Sequence, residues 1–325
     1  MQTENYGIIR VMNISRRDFL AGAGALGGAL AAGCASDICR GPKAKIALQL
    51  YSIRDYISRV GIAKTLEEVA AIGYTGVEVA GYNAKAGTFY KATAKELKRM
   101  LDANGIQLCG MHISRSVLEP DALAATCEFA RTCGNTTIIC PGGGNFPAGM
   151  SFQNRYREPA KDIDDWCRFL ADFYNKTAES AKKLGCRVGI HNHEWEFKVK
   201  LTDGTTFFDG FFSHASPEVL MEQDVGWTVA AGYDPCEQYR KYPRRSPTLH
   251  AKENGYGCKG KFDGILGVPG RNLDGTSVPG VDWDRLIPVT EADGVAWYIV
   301  ECEVHADDLS AVTPSYAFLK SKGLS

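Results

Sequence analysis

Side chains of the kinds that bind metal ions or move protons stand near the ends of several short apolar runs. One run ends in the segment His191–Glu196, which reads His-Asn-His-Glu-Trp-Glu. The other such residues are His112, Glu222, Asp224, His250, Lys252, Glu301 and Glu303. A mixture of carboxylate and imidazole ligands suits Mn²⁺, Fe²⁺, Zn²⁺ or Co²⁺. A site with one histidine and two carboxylates would leave open positions for the hydroxyl and carbonyl oxygens of a sugar.

Alternation along a strand sorts these residues by face, because residues two apart point the same way. The pairs predicted to share a face are His191 with His193, His250 with Lys252, and Glu301 with Glu303. Glu301 interrupts an apolar run, and burying a carboxylate without a cation is costly, which favours a ligand role. Two alternatives stay open: Asp224 could cap the following turn, and His250 could be a hydrogen-bonded core histidine.

The elements that must position these residues follow one repeating pattern from Lys45 onward. The predicted strands are Lys45–Ser52, Gly76–Tyr82, Gln107–Ser114, Thr136–Pro141, Arg187–His193, Val219–Gly226, Thr248–Lys252 and Val295–Glu303. The predicted helices are Thr65–Ile72, Ala94–Asn104, Asp121–Cys133, Asp162–Leu184, Asp203–Phe212, Asp234–Lys241, Asp282–Ala292 and Ser315–Lys322. Strands that alternate with helices favour a parallel sheet. Eight such units predict an α/β protein with a single (β/α)8 TIM barrel.

An open, doubly wound sheet is the alternative to the barrel. Such a sheet normally carries a glycine-rich phosphate turn after its first strand, but the turn here, residues 51–55, reads Tyr-Ser-Ile-Arg-Asp. In a barrel, the active site lies at the C-terminal ends of the strands, where most of the candidate residues stand. Glu78, inside the second predicted strand, is expected to pair with a base low in the barrel. We therefore expect one barrel domain over residues 45–325.

The N-terminus resembles a twin-arginine (Tat) export signal. Arg16 and Arg17, within Ser-Arg-Arg-Asp-Phe-Leu, directly precede the apolar, glycine-rich run Phe19–Gly33. That run is short for a membrane span, which needs about 20 residues. Residues 1–44 are therefore predicted to be a signal peptide with a short linker. The expected partner is the Tat export machinery, and the expected location is the periplasm or beyond.

The end of the predicted signal leaves two forms of processing open. Leu-Ala-Ala-Gly-Cys at residues 30–34 resembles an imperfect lipobox. Cys34 is accordingly a candidate lipid anchor, which would make the protein a membrane-tethered lipoprotein. Simple cleavage after the Ala-Leu-Ala segment at residues 29–31 is the alternative.

Composition narrows the class of protein. The 325 residues include 37 Lys and Arg against 38 Asp and Glu, a net charge of −1, which argues against a nucleic-acid partner. Hydrophobic residues make up 45% and charged residues 23%, as in ordinary globular proteins. The 11 cysteines include no C-x-x-C pair. They are predicted to be mostly buried free thiols.

Four segments together resemble the sugar phosphate isomerase/epimerase family, the xylose-isomerase-like TIM barrels. They are Gly189–Phe197 (GIHNHEWEF), Asp224–Trp227 (DVGW), Leu249–Glu253 (LHAKE) and Trp297–Glu301 (WYIVE). Their order and spacing match across about residues 45–323. The resemblance implies one divalent metal ion (Mn²⁺, Zn²⁺, Co²⁺ or Fe²⁺), held by residues from strands five to eight.

The ligands implied by this resemblance are His191, Asp224, His250 and Glu301. Many family members carry Glu on strand five where this chain has His191. The strand-five ligand therefore stays open between His191, His193 and Glu196. His112 and Trp227 are the expected substrate-binding residues.

The implied reaction is sugar isomerisation or epimerisation. A metal-polarised carbonyl makes the adjacent C–H acidic, and removal of that proton gives a metal-bound enediolate. Glu301 is expected to act as both ligand and base, as its family counterparts do. His193 or Glu196 is the second acid/base, and Lys252 donates a hydrogen bond to the developing oxyanion.

Two other functions stay open beside this one, and a third is argued against. A branch of the family with a His-Asn-His motif acts on 3-keto sugars as lyases or hydrolases, so glycoside processing is the runner-up. A non-catalytic periplasmic sugar-binding protein is the alternative from another class, and a homodimer is a candidate assembly. A phosphodiester endonuclease shares the barrel, but its three-metal centre needs more histidines than the six present and a basic groove.

Overall fold

Eight parallel strands close into a barrel in the computed structural model, which describes residues 43–142 and 162–325. The barrel strands are β1 (Lys45–Gln49), β2 (Gly76–Ala80), β3 (Gln107–His112), β4 (Thr137–Pro141), β5 (Arg187–His191), β6 (Leu220–Asp224), β7 (Thr248–Ala251) and β8 (Trp297–Val300). Each strand pairs with its neighbours in chain order, and β8 pairs with β1 to close the ring. The predicted barrel is confirmed.

Helices follow the strands around the outside. They are α1 (Arg54–Val60), α2 (Ile62–Ile72), α3 (Ala94–Ala103), α4 (Pro120–Thr132), α5 (Ile163–Lys183), α6 (Trp195–Lys198), α7 (Phe207–His214), α8 (Val225–Ala230), α9 (Pro235–Lys241), α10 (Trp283–Asp293) and α11 (Val312–Ser321). Local capping sets several of their starts; at α3, Thr93 and Glu96 form a reciprocal capping box. Helices α1, α6 and α8 were not predicted; α6 and α8, with four and six residues, are too short to show a helical period.

The apolar core has two parts. The larger part lies between the strands and the surrounding helices. The smaller part is a buried cluster of Ala47, Cys109 and Ile299, with Trp297 packed against it. Ala47 lies two residues before Gln49, and Ile299 two residues before Glu301, so this cluster fills the barrel beneath polar side chains. The barrel interior is thus apolar below and polar toward the C-terminal ends of the strands.

Seven of the eight barrel strands end one to three residues earlier than predicted, and only β4 ends at the expected residue, Pro141. Strand β5 ends at His191. His193 follows in a turn, and its backbone N–H donates to Glu196 Oε2 at 2.8 Å. Strand β8 ends at Val300, so Glu301 follows it directly. His193 therefore lies beyond strand β5, but its ring centroid is 5.1 Å from that of His191 and both residues line the same cavity.

The predicted export signal, its processing sites and the candidate anchor Cys34 lie outside the described residues, as does most of the predicted loop Gly142–Arg157. Within residues 43–142 and 162–325, no helix combines the length and apolar character needed to cross a bilayer. The expected buried thiols are found at eight positions, all free cysteines. They are Cys109, Cys127, Cys133, Cys140, Cys167, Cys186, Cys236 and Cys302.

Candidate active site

Four buried side chains converge at the C-terminal end of the barrel. His191 ends β5, Asp224 ends β6, His250 lies within β7, and Glu301 follows β8. One nitrogen or oxygen from each lies within 4.8 Å of the others, so this group could hold a metal ion. The four residues are those expected from the sequence to be ligands.

Asp224 has two tasks, one for each carboxylate oxygen. Its Oδ1 accepts the backbone N–H of Trp227 at 2.8 Å and caps α8, so the capping alternative is also present. Its Oδ2 is buried without a hydrogen-bond partner among the described residues and lies 3.8 Å from His191 Nε2. Burial raises the pKa of Asp224 to about 7, although the charge of Lys252 acts in the opposite direction.

Lys252 places a buried ammonium group beside the same carboxylates. Its Nζ lies 3.0 Å from Glu301 Oε2, 2.6 Å from Glu303 Oε1 and 3.6 Å from Asp224 Oδ2. It also lies 4.8 Å from the centroid of the Trp227 ring. Burial opposes the charged form of Lys252, but these carboxylates, Glu301 foremost, raise its pKa above the usual value.

Glu301 is ionised in this surrounding. Burial alone would raise its pKa, but the charges of Lys252 and His250 lower it well below the usual value. Its Oε2 contacts both of those residues, at 3.0 Å from Lys252 Nζ and 3.0 Å from His250 Nδ1. An anionic carboxylate therefore stands at the mouth of the barrel near neutral pH.

The two candidates for a second acid/base occupy different places. His193 lines the cavity above the site, and burial followed by the charge of Lys252 lowers its pKa to about 4, so its imidazole is neutral near pH 7. Glu196 is buried beside it but does not line the cavity. Burial raises the pKa of Glu196 well above its usual value.

A second layer of polar side chains lies beneath the first, and although its residues were noted in the sequence, most of their mutual contacts were not predicted. Glu222 Oε1 lies 2.7 Å from His112 Nε2 and 3.2 Å from His250 Nε2. Glu78, as expected, pairs with a base: its Oε2 lies 2.6 Å from His250 Nε2. His112 stacks on His250 with ring centroids 4.8 Å apart and nearly parallel planes. Strand alternation could have indicated Glu222, which stands two residues before Asp224 on β6.

A cavity of about 970 Å³ opens above these residues. The expected substrate-binding residues His112 and Trp227 both line it, together with His191, His193 and Glu301. Aromatic and cationic side chains of the strand β1 and β2 loops complete the wall. They are Tyr51, Arg54, Tyr82, Tyr90 and Lys91.

Two of these wall residues have an unusual backbone. Tyr90 and Lys91 have φ angles of 49° and 66° and form the tip of a small hairpin between Thr88–Phe89 and Ala92–Thr93. Such angles normally select glycine or asparagine, so no sequence signal predicts this turn. Strain of this kind concentrates at ligand-binding sites.

Comparisons with known proteins place this architecture. The family described as "Xylose isomerase-like TIM barrel" matches residues 66–322. The chain belongs to this family. An inosose dehydratase of Serratia proteamaculans (strain 568) is 29% identical over 253 residues, covering 73% of this chain and 81% of that protein. A second inosose dehydratase, of Glaesserella parasuis serovar 5 (strain SH0165), is 29% identical over 149 residues, 43% of this chain and 47% of that protein.

A solved structure shares the fold. The sugar phosphate isomerase/epimerase of Parabacteroides distasonis ATCC 8503 superposes with a TM-score of 0.66 at 23% identity, over 90% of this chain and 98% of that one. Such a likeness extends the agreement in fold across nearly the whole described barrel. The reaction has to be argued from the side chains in the cavity.

Proposed function

We propose that the protein is a metal-dependent enzyme that removes a proton α to the carbonyl of a keto sugar or a related polyhydroxylated ketone. Four potential ligands converge at one end of a cavity that two of them, His191 and Glu301, line together with the neutral His193. The ammonium of Lys252 lies 3.0 Å from Glu301. This convergence is the observation that carries the proposal. Return of the proton to the carbon skeleton makes the enzyme a sugar isomerase or epimerase.

The donor set fits a divalent cation. His191, Asp224, His250 and Glu301 would hold the ion, a mixture of imidazole and carboxylate that suits Mn²⁺, Zn²⁺, Co²⁺ or Fe²⁺. The buried Oδ2 of Asp224, which lacks a hydrogen-bond donor, supports the fit, because such an atom is costly without a partner. When bound, a divalent ion polarises the substrate carbonyl and offsets negative charge that develops on its oxygen.

The chain's own residues then divide the work. Glu301, ionised and facing the cavity, takes the α-proton. The ammonium of Lys252 lies 3.0 Å from Glu301, the proposed base. From there it donates a hydrogen bond to the substrate oxygen on which negative charge develops. His193 is neutral near pH 7 and accepts or returns a proton on the other side of the substrate. Trp227 and His112 contact the sugar from the cavity wall.

Dehydration is the second candidate reaction, and the comparisons favour it. The relative from Serratia is named an inosose dehydratase and matches 81% of its length to this chain. Elimination begins with the same proton abstraction and differs only in the loss of a β-hydroxyl group. In that reaction Lys252 or His193 would protonate the departing hydroxyl.

One experiment tests the shared step and separates the two outcomes. A panel of keto sugars and cyclic polyhydroxy ketones is incubated in D₂O with the metal-loaded enzyme and followed by NMR. For an isomerase or epimerase we expect deuterium on the carbon skeleton, with an inverted centre or a shifted carbonyl. For a dehydratase we expect loss of water and a product whose α-carbon has lost its hydrogen. Tight sugar binding without exchange would contradict the proposal and favour a binding protein.

The variant Glu301→Gln assigns the base. It preserves the shape of the side chain and one oxygen ligand, and we expect turnover and α-proton exchange to fall by about 10²–10⁴, the effect of losing a general base. Glu179→Gln, on the exposed face of α5, is the matched control and should retain activity. Full exchange in metal-loaded Glu301→Gln would move the base to His193 or Glu196. Unchanged metal content in the double variant His250→Ala, Asp224→Ala would refute the ligand set.

A further inference from the structure

Glu78 is a fully buried carboxylate in the middle of the barrel, outside the four potential ligands. It lies within β2 and is 0% exposed. Its Oε2 accepts the side-chain N–H of Gln49 at 2.7 Å and lies 2.6 Å from His250 Nε2. Burying an ionisable group costs several kcal/mol unless its partners compensate, so this placement calls for an explanation beyond packing.

Strands β2 and β3 are irregular beside this carboxylate. The pairing of β2 with β3 shifts by one residue: Val77 pairs with Leu108 and Glu78 with Gly110, so that Cys109 has no partner in this ladder. A bulge of this kind changes the direction of side chains. Opposite Glu78 stands Gly110, where an added Cβ would lie only 2.0 Å from Glu78 Oε1. Both features serve the position of one side chain.

The ring of His250 is held from several sides. Nε2 faces Glu78, while Nδ1 lies 3.0 Å from Glu301 Oε2, on the side of the potential ligand group. The face of the ring stacks on His112 with an interplanar angle of 4°. A neutral imidazole whose Nε2–H donates a hydrogen bond to a carboxylate has a free lone pair on Nδ1.

We propose that Glu78 is a positioning residue that fixes the orientation and tautomer of His250, so that Nδ1 is presented as a metal ligand. The inference rests on the metal-dependent function proposed above. Outer carboxylates of this type raise the basicity of a ligating histidine, and their loss typically weakens metal binding by about 10–100-fold. Glu78 itself touches neither substrate nor ion.

The competing explanation is a second cation in the lower layer. His112, His191, Glu222 and His250 also offer atoms within 4.8 Å of one another. There His250 Nε2 would be a ligand, whereas our proposal keeps that nitrogen protonated. The number of ions bound per chain separates the two explanations.

The test uses Co²⁺ alone as the probe on the metal-free wild type, Glu78→Gln and a control. Glu253→Gln is the matched control, because Glu253 is also a buried carboxylate but bonds to Trp283 Nε1 and the Val281 backbone instead of the histidines. We expect one Co²⁺ per wild-type chain. Glu78→Gln should bind it about 10–100-fold more weakly and with a shifted visible spectrum, while the control matches wild type.

Each result has a separate meaning. A wild type that binds no Co²⁺ would refute the proposed function. A wild type that binds one ion while Glu78→Gln keeps its affinity and spectrum would overturn only the role of Glu78, as would two ions per chain. Equal weakening in Glu253→Gln would also overturn it, because any buried carboxylate would then suffice.

A measurement on the wild type needs no variant to fold. Long-range ¹H–¹⁵N NMR of the Zn²⁺-loaded protein reports which nitrogen of each histidine carries the proton. We expect His250 to be protonated at Nε2 and metal-bound at Nδ1. Metal bound at Nε2 would overturn the proposal.

Discussion

Asp224→Asn should stabilise the metal-free protein while removing its metal binding. The carboxylate is 0% exposed, and its pKa in the folded protein is about 7 instead of the ordinary 3.8. Between these two values the folded state holds a proton that the unfolded chain has lost. The free energy of unfolding therefore falls as pH rises from about 4 to about 7.

The size of the effect follows from the difference in pKa. At about 1.4 kcal/mol per unit, the ionised Asp224 costs the folded protein about 4 kcal/mol above pH 7. Asparagine avoids this cost and can still cap α8 through its side-chain oxygen. We expect Asp224→Asn to raise the free energy of unfolding by about 4 kcal/mol near pH 8, about 1.5 kcal/mol near pH 5, and little below pH 4.

Urea unfolding with EDTA, measured across that pH range, checks the prediction. Glu222→Gln is the control of opposite sign: burial alone would raise the pKa of Glu222, but His250 and His112 lower it well below normal. Its ionised form therefore stabilises the fold above its unfolded pKa, and its removal should destabilise the protein near pH 8. If Asp224→Asn lowers the free energy of unfolding, or changes it equally at every pH, then burial is not the main influence on the pKa of Asp224.

Two other variants test the surroundings of the site. Lys252→Met leaves the buried carboxylates Glu301 and Asp224 without their ammonium partner, so the free energy of unfolding in EDTA should fall by about 3–5 kcal/mol. In saturating Mn²⁺ we expect a smaller decrease, and an equal decrease would argue against an ion shared by these carboxylates. Gly110→Ala places a methyl group 2.0 Å from Glu78 Oε1, so the free energy of unfolding should fall by about 1–3 kcal/mol, and an unchanged urea midpoint would mean that the carboxylate moves freely.

The barrel could be predicted because its signal is local and repeated. Each strand is a short apolar run, and most of the candidate polar residues stand at or near the C-terminal end of one. Residue type and position singled out the candidates, the family resemblance implied His191, Asp224, His250 and Glu301 as ligands, and the structure brings these four together. Whether they hold an ion and which of them moves protons stay predictions.

Other features depend on contacts across the barrel, which no local pattern encodes. Glu78 contacts His250, which follows it by 172 residues in the sequence. The bulge at Cys109 and the left-handed turn at Tyr90 and Lys91 arise because tertiary packing outweighs backbone preference. Helix α8 has only six residues, and its start depends on the Asp224 side chain that also faces the site, so it was not predicted.

The apolar cluster at the bottom of the barrel also bears on the order of events. Ala47, Cys109 and Ile299 are at most 5% exposed. The ring of Trp297 packs so closely on Gly76 that an added Cβ there would lie 2.4 Å from it. Small hydrated solutes do not pass through packing of this density. In the proposed reaction, ion and sugar would therefore share the entrance at the C-terminal ends of the strands. A sugar bound above the ligand group would then slow both the entry and the escape of the cation beneath it.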